Sequence, residues 1–307
     1  MSILMIEPIA FGFNVQTAAN NYFQQNDNSA AEEIQKKALQ EFIAMVEKLR
    51  SKNIDVIVVK DTAQPHTPDS IFPNNWVSFH ANGSVVLYPM FAENRRLERR
   101  EDILNRIQSA GYQINEIVDF SSSEKENVFL EGTGSMIFDR ENNVAYAALS
   151  QRTDEKLFFK FCEKMNFAPV AFSAFQTVGN ERLPIYHTNV MMCVGDKYAV
   201  ICLDTIDKNE EKEVVKSVLE KTQKTIVEIS EAQMHSFAGN MLQVENTEGE
   251  KFLVMSQTAY NSLNSKQLEV LQSFNEIISV EIPTIEKYGG GSARCMMAEV
   301  FLQNSKS

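Results

Sequence analysis

The fold is decided by a short stretch that holds two apolar segments and a turn, residues 76–88, which read WVSFHANGSVVLY. Residues 76–80 and 84–88 are rich in Val, Phe, Tyr and Trp, which are favoured in strands. The Asn82-Gly83 pair between them is a hairpin signal, because both residues tolerate the positive φ of tight turns. The stretch therefore predicts a β-hairpin.

The same arrangement recurs along the chain. A second apolar pair, 136–138 and 144–149, is joined by an Asp- and Asn-rich turn at 139–143. Other strand-like segments are 54–59, 198–203 and 252–255, and helical patterns cover about 29–52, 95–110, 153–166, 208–222 and 264–274. We count about five ββαβ units without sequence identity between them. Such a repeat predicts an α/β fold closed into one body rather than a doubly wound sheet.

Length and composition restrict the class of protein. The 307 residues contain no convincing Pro/Gly/Ser-rich linker, so we predict a single domain over residues 1–307. A net charge of -12 argues against partners such as nucleic acid and anionic membranes, which bind basic surfaces. The four cysteines have neither zinc-site nor disulfide-framework spacing, and no apolar run is long enough for a membrane span. We expect a cytoplasmic protein without a bound metal.

A glycine-rich turn near the C-terminus precedes a candidate nucleophile. Residues 288–297 read YGGGSARCMM, so three glycines come four residues before Cys295. Glycine lets a ligand approach the backbone closely, which favours a thiol at a binding site. A buried strand cysteine is the alternative. His187, at the entry of a strand, is the candidate acid or base for this thiol, with a hydrogen-bonded structural histidine as its alternative.

Three further clusters carry polar groups that could bind a ligand. Glu131 stands directly before Gly-Thr-Gly, although glutamate is also common at hairpin turns. Residues 68–76, PDSIFPNNW, place an acid and two amides before the only Trp. Arg95 and Arg152 could hold a carboxylate through a bidentate fork, whereas most such charges lie on solvated helix faces.

Together these segments resemble the guanidino-group-modifying enzymes, the pentein or amidinotransferase superfamily. The resemblance covers nearly the whole chain, in order: residues 68–72 with the following Asn74 and Asn75, then 131–132, 150–153, 187–189, and the glycine-rich turn ending at 294–296. It implies a five-bladed α/β propeller of ββαβ units around a central site. This expectation agrees with the repeat pattern.

The resemblance also implies residue roles and a chemistry that needs no cofactor. Cys295 would attack the guanidine or ureido carbon, and His187 would protonate the leaving nitrogen and then activate water. Glu131 would bind substrate nitrogens and orient His187. Asp69, Asn74, Asn75 and Asn189 would bind a small amino-acid substrate, and Arg95 or Arg152 would hold its α-carboxylate. A homodimer stays possible.

Two departures from the family pattern point to the substrate. Asn75, preceded by Asn74, stands where relatives have an acid that binds guanidinium, and Asn189 stands where arginine deiminase has an aspartate. An amide offers a donor and an acceptor but no charge, which suits a neutral ureido group. We therefore expect a citrulline hydrolase that releases ornithine, similar to the citrulline-utilisation branch.

Two alternatives remain open at this point. One is an arginine deiminase or amidinotransferase, with Glu131 alone holding the guanidinium. The other is a non-catalytic pentein that only binds its ligand, against which the joint presence of Cys295, His187 and Glu131 argues.

Overall fold

The computed structural model describes residues 1–27 and 29–305, so Asn28 and residues 306–307 of the predicted domain lie outside the described residues. The strands, in chain order, are β1 Ser2–Glu7, β2 Asp55–Lys60, β3 Val77–Phe79, β4 Ser84–Leu87, β5 Glu116–Asp119, β6 Ile137–Asp139, β7 Val144–Leu149, β8 Ala168–Ser173, β9 Phe175–Val178, β10 Glu181–Pro184, β11 Met192–Val194, β12 Tyr198–Ile201, β13 Thr225–Glu228, β14 Leu242–Glu245, β15 Lys251–Ser256, β16 Glu276–Val280 and β17 Ala298–Val300.

The helices connect and cover these strands. They are α1 Ala31–Arg50, α2 Glu93–Arg96, α3 Glu101–Ser109, α4 Gly132–Ser135, α5 Glu155–Met165, α6 Asn209–Lys221, α7 Glu231–His235, α8 Gln257–Ser262, α9 Ser265–Gln272 and α10 Pro283–Gly289. Short 3-10 turns lie at Pro73–Asn75, Ser121–Glu126, Thr188–Val190 and Leu203–Thr205.

Five three-stranded sheets share one pairing pattern. In each, the central strand pairs antiparallel with one neighbour and parallel with the other. The sheets are β3-β4-β5, β6-β7-β8, β11-β12-β13, β14-β15-β16 and β17-β1-β2, and β9-β10 is a separate hairpin. In the last sheet Ser2 pairs with Val300, so the two ends of the chain meet. The fold is mixed α/β; the sheets are small and not closed on one another, and the propeller stays a prediction.

The local predictions hold for most elements. Gly83 has a φ of +87°, and a Cβ there would lie 2.1 Å from Nδ2 of Asn115, so the predicted hairpin requires its glycine. The helix predicted over 95–110 is wrong as one element, because the chain is extended at Arg100 between α2 and α3. This break lets Arg95 and Glu98 both turn into the interior, where each is at most 3% exposed.

Apolar faces of the helices pack on the sheets. In α1, side chains at helical spacing are buried: Ile34, Ala38, Phe42, Met45 and Leu49. Full burial of a large apolar side chain such as Phe42 or Leu49 stabilises the fold by about 1.5–3 kcal/mol.

Among the described residues no helix combines the length and apolar character needed to cross a membrane.

His80 is buried in an aromatic part of the core. Its ring lies 6.0–6.3 Å from the rings of Phe138, Phe161 and Phe167, and Nε2 is 2.8 Å from Oγ of Ser78. Burial, aided by the charge of Arg140, lowers the pKa of His80 to about 3. The folded state therefore keeps this imidazole neutral.

We expect His80 to make the fold sensitive to acid. An unfolded histidine takes up a proton near pH 6.5, whereas folded His80 does so only near pH 3. Because only the unfolded state gains this proton as the pH falls below about 6.5, the free energy of unfolding is highest above that pH and decreases toward pH 3. The free energy of unfolding should fall more steeply with acid in the wild type than in His80→Gln, by about 1.4 kcal/mol per pH unit between pH 6 and 4. Urea unfolding of both proteins measures this, and parallel curves would contradict it.

Candidate active site

Three glycines let the chain reach Cys295 beneath residues 14–24, which we call the covering segment. Helix α10 ends at Gly289; Gly290 follows with a left-handed φ of +63°, and a Cβ there would lie 2.5 Å from Cγ of Gln24. Cβ atoms on Gly289 and Gly291 would lie within about 3.0 Å of the Phe72 ring. Each glycine therefore permits a contact that larger residues would block. Cys295 follows and is 4% exposed.

Two amide groups donate hydrogen bonds to the sulfur of Cys295. Nδ2 of Asn189 lies 3.3 Å from Sγ, and Nδ2 of Asn240 lies 3.2 Å from it. Asn240 is fixed in turn, because its Oδ1 accepts a bond from the backbone N–H of Arg294 and its Nδ2 also donates to the carbonyl of Asn189. Donors held in this way stabilise negative charge on sulfur.

His187 and Glu131 form a buried pair. Nε2 of His187 lies 2.7 Å from Oε2 of Glu131, and the two residues are 3% and 0% exposed. The backbone N–H of Phe91 donates to the other carboxylate oxygen. Gly134 leaves space for the ring, since a Cβ there would lie 2.8 Å from Nδ1 of His187.

The charges around this pair fix its protonation. Burial alone would raise the pKa of Glu131, but Arg152 and the hydrogen bond from His187 lower it to about 2. Burial lowers the pKa of His187 to about 4 in spite of its bond to Glu131. At neutral pH an ionised carboxylate therefore accepts from a neutral imidazole, which puts the proton on Nε2 and leaves Nδ1 as the basic nitrogen.

Arg95 links the 68–76 loop to the break between α2 and α3. It makes two hydrogen bonds to Glu98 and donates to the carbonyl of Phe72. Its Nη1 donates to Oδ1 of Asn75 at 2.7 Å, and its Nε lies 4.0 Å from Asp69. Four of its five N–H groups are thus engaged inside the protein, so Arg95 has little capacity left for a ligand carboxylate.

Arg152 is held by the segment that covers the site. Its Nε donates to Oδ1 of Asn20 at 2.8 Å, and Nη2 donates to the carbonyl of Thr17 and to Asn20. Its Nη1 lies 3.5 Å from Glu131, and its guanidinium is 5.1 Å from the Tyr186 ring centroid. The side-chain hydrogen bonds of Arg152 thus go to Thr17 and Asn20 of the covering segment.

These groups surround one small cavity. Six of the predicted site residues line it: Asp69, Asn75, Arg95, Arg152, His187 and Cys295. Glu131 and Asn189 stand directly behind it, bound to His187 and Cys295. Asn74 does not line the cavity either, and its Nδ2 donates to Oγ1 of Thr133. The enclosed volume is about 20 Å³, room for about one water molecule.

Several buried polar atoms of the site residues have no hydrogen-bond partner within residues 1–27 and 29–305. They are Oδ1 of Asp69, Nδ2 of Asn75, Oδ1 of Asn189 and Oδ1 of Asn74. Buried polar atoms without partners are costly, and those left at a site are ready to bind a ligand. Burial raises the pKa of Asp69, although Arg95 and two hydrogen-bond donors oppose this rise.

The sequence does not reveal the residues that cover and complete the site. Thr17, Asn21 and Tyr186 line the cavity, and Asn20 holds Arg152. The covering segment has no charged residues, so only its run of amides could have indicated a site. For Asn240, the only indication in the sequence is the Gly239-Asn240 pair that ends the stretch 235–240.

The other cysteines differ from Cys295 in their surroundings. Burial raises the pKa of Cys162, Cys193 and Cys202 to about 12.

Within the described ranges, no group of three or more His, Cys, Asp or Glu side chains is placed to hold a metal ion.

Comparison with solved structures shows the same fold in two groups of enzymes. ArgZ, an arginine dihydrolase from the ornithine-ammonia cycle in cyanobacteria, superposes with a TM-score of 0.74 at 16% identity over 99% of this chain. This chain spans only 41% of that protein. The N-terminal domain of ArgZ, solved as a cysteine mutant with substrate, gives a TM-score of 0.73 at 16% identity, covering 98% of this chain and 99% of that one. DDAH from Pseudomonas aeruginosa, complexed with citrulline, gives 0.66 at 14% identity, covering 97% and 98%.

Sequence comparison identifies the family. No curated protein matches this chain. The family model described as "N,N dimethylarginine dimethylhydrolase, eukaryotic" matches residues 7–302, nearly the whole chain. The chain therefore belongs to the dimethylarginine dimethylhydrolase family of the pentein superfamily.

Proposed function

We propose that this protein is a cysteine-dependent hydrolase of the ureido C–N bond of citrulline, which yields ornithine, ammonia and carbon dioxide. It would act as one domain, with its five sheets arranged as a five-bladed propeller around the site. The family match supports a guanidino-group hydrolase of the pentein superfamily. The choice of citrulline as the substrate rests on the residues that line the cavity.

The observation that carries the ureido assignment is the orientation of the Asn75 amide. A guanidinium can only donate, so the bond from Arg95 fixes Oδ1 of Asn75 toward itself and leaves Nδ2 beside Gly134 and the His187 ring, in a residue that lines the cavity. Among the described residues that Nδ2 has no hydrogen-bond partner. A ureido oxygen can accept from it, whereas a substrate guanidinium would meet it donor to donor.

The remaining groups support a covalent mechanism. Nδ1 of the neutral His187 takes the thiol proton of Cys295, and Sγ, stabilised by Asn189 and Asn240, attacks the ureido carbon. The imidazolium, stabilised by Glu131, passes this proton to the departing nitrogen, so ammonia leaves and an S-carbamoyl intermediate remains. Nδ1 then takes a proton from water, whose oxygen attacks the carbonyl carbon. The C–S bond breaks, the proton returns to sulfur, and the carbamic acid released loses carbon dioxide to give ornithine.

Both ends of an amino-acid substrate find complementary charges. Oδ1 of Asp69 is an unpartnered acceptor suited to the α-ammonium group. Arg152 can hold the α-carboxylate once Asn20 and Thr17 release it. Because the cavity admits about one water molecule, the covering segment has to open before substrate enters.

A second candidate substrate is arginine, as in ArgZ, which is an arginine dihydrolase. The carboxylates of Asp69 and Glu131 favour a cationic group, which supports this alternative. The unpartnered Nδ2 of Asn75 opposes it, since a guanidinium offers no acceptor.

The first test compares L-citrulline with L-arginine at equal concentrations. We expect ornithine and ammonia from citrulline, and a loss of roughly a thousandfold or more in Cys295→Ser because oxygen is a poorer nucleophile here. Ornithine analysis measures both. Turnover of arginine alone would reject citrulline, and an active Cys295→Ser protein would reject the nucleophile.

The substitution Asn75→Asp tests the amide argument. It keeps the acceptor for Arg95 but replaces the free N–H₂ with a carboxylate oxygen. We expect kcat/KM for citrulline to fall about tenfold and affinity for arginine to rise about tenfold, since one charge-assisted hydrogen bond has this magnitude. Asn74→Asp, one residue away and outside the cavity lining, is the matched control. An equal response of both substrates to Asn75→Asp would refute the argument.

Alkylation of thiols tests the sulfur environment without turnover. We expect iodoacetamide to modify Cys295 ahead of Cys162, Cys193 and Cys202, whose raised pKa values keep them protonated. Asn240→Asp places an anion beside Sγ and should shift the pH midpoint of alkylation upward. Peptide mass spectrometry over a pH series measures both effects. Equal labelling of all four thiols would favour a non-catalytic binding protein.

A further inference from the structure

A second cavity lies apart from the active site. Its volume is about 670 Å³, and segments 137–141, 193–196, 241–245 and 299–304 provide most of its lining. No residue lines both this cavity and the one beside Cys295. Nothing in the proposed reaction uses it.

Arg140 lines this cavity, and two aromatic rings lie against its guanidinium. The guanidinium carbon lies 4.1 Å from the Phe301 ring centroid and 5.1 Å from that of Phe138. Its Nη2 is buried and, among the residues that the structure describes, has no hydrogen-bond partner. Rings that occupy the faces of a guanidinium leave its N–H groups to bind in the plane, which is the geometry that carboxylates match.

The charge of Arg140 is incompletely balanced by the protein. In the part of the chain that the structure describes, its one ion-pair partner is Glu299, 3.9 Å from Nε. Glu299 is bound more closely to Arg294, whose Nη2 lies 3.0 Å away. Burial lowers the pKa of Arg140, and the positive charge of Arg294 adds to this effect. Two guanidinium groups thus share one carboxylate.

Five other acids line the cavity, and three of them have partners in the protein. Asp139 pairs with Lys224 at 3.1 Å, Asp196 pairs with Lys251, and Asp55 accepts a hydrogen bond from Ser2. Glu141 is exposed to solvent and Glu245 is partly exposed, so water screens both charges. Much of the remaining wall is apolar, with contributions from Ile137, Met241, Leu242, Val300 and Leu302.

We propose that this second cavity binds a small monocarboxylate with an apolar body, and that Arg140 holds its carboxylate. A monoanion supplies the missing partner of Nη2, and an apolar body fits the wall. A phosphate dianion suits the site less well because Glu299 lies beside Arg140. The proposal is independent of the reaction at Cys295.

Titration calorimetry with benzoate tests the site, with benzamide as the neutral molecule of the same shape. We expect saturable binding of benzoate but not of benzamide, and weaker binding of acetate because it lacks an apolar body. Arg140→Met keeps a side chain between the two rings and should reduce benzoate affinity about tenfold or more. Arg106→Met, at an exposed arginine on α3, is the matched control and should bind as the wild type does.

Two further variants test whether benzoate binds at Arg140 or in the active site. Glu299→Gln removes the competing carboxylate and should raise the affinity for benzoate several-fold. Arg152→Gln should leave it unchanged, and loss of binding there would move benzoate to the active site and overturn the proposal. Equal binding of benzoate and benzamide by the wild type, or no benzoate binding, would also overturn it, whether or not Arg140→Met folds.

Discussion

The carboxylate of Glu131 is the group on which the rest of the site depends. It is wholly buried, and it meets His187 on one oxygen and a backbone N–H on the other, with Arg152 close by. Removing one partner of such a buried charge network costs about 3–5 kcal/mol, because the other charges lose their compensation. The fold therefore maintains an ionised carboxylate and a neutral imidazole in contact, which is the state that proton transfer needs.

A second buried network sets what the cavity offers to a ligand. Arg95 directs four of its five N–H groups to Glu98, Phe72 and Asn75. Its effect on the cavity is therefore exerted through the Asn75 amide. The bond to Oδ1 leaves Nδ2 of this amide beside Gly134 and the His187 ring. The amide thus presents a donor where a carboxylate would present an acceptor.

Much of this arrangement could be predicted from sequence because it depends on local patterns. Alternating apolar residues and an Asn-Gly turn predict the 76–88 hairpin, and the glycine-rich turn indicates a close approach of backbone around Cys295. The break between α2 and α3 was missed because it depends on burying Arg95 and Glu98, which are exposed in an isolated helix. The covering segment was missed because its amides acquire a role only through Arg152 and Asp69, which are distant in sequence.

Arg294 lines the second cavity and is also bonded to a residue that contacts the sulfur of Cys295. Its backbone N–H binds Oδ1 of Asn240, which places that residue's Nδ2 on the sulfur of Cys295. Its side chain extends to the carbonyl of Met297 and to Glu299 at the second cavity. Backbone and side chain of one residue thus fix two separate environments, and the glycines before it supply the conformational freedom that this placement requires. The position of the sulfur is therefore determined by contacts on both sides of the turn.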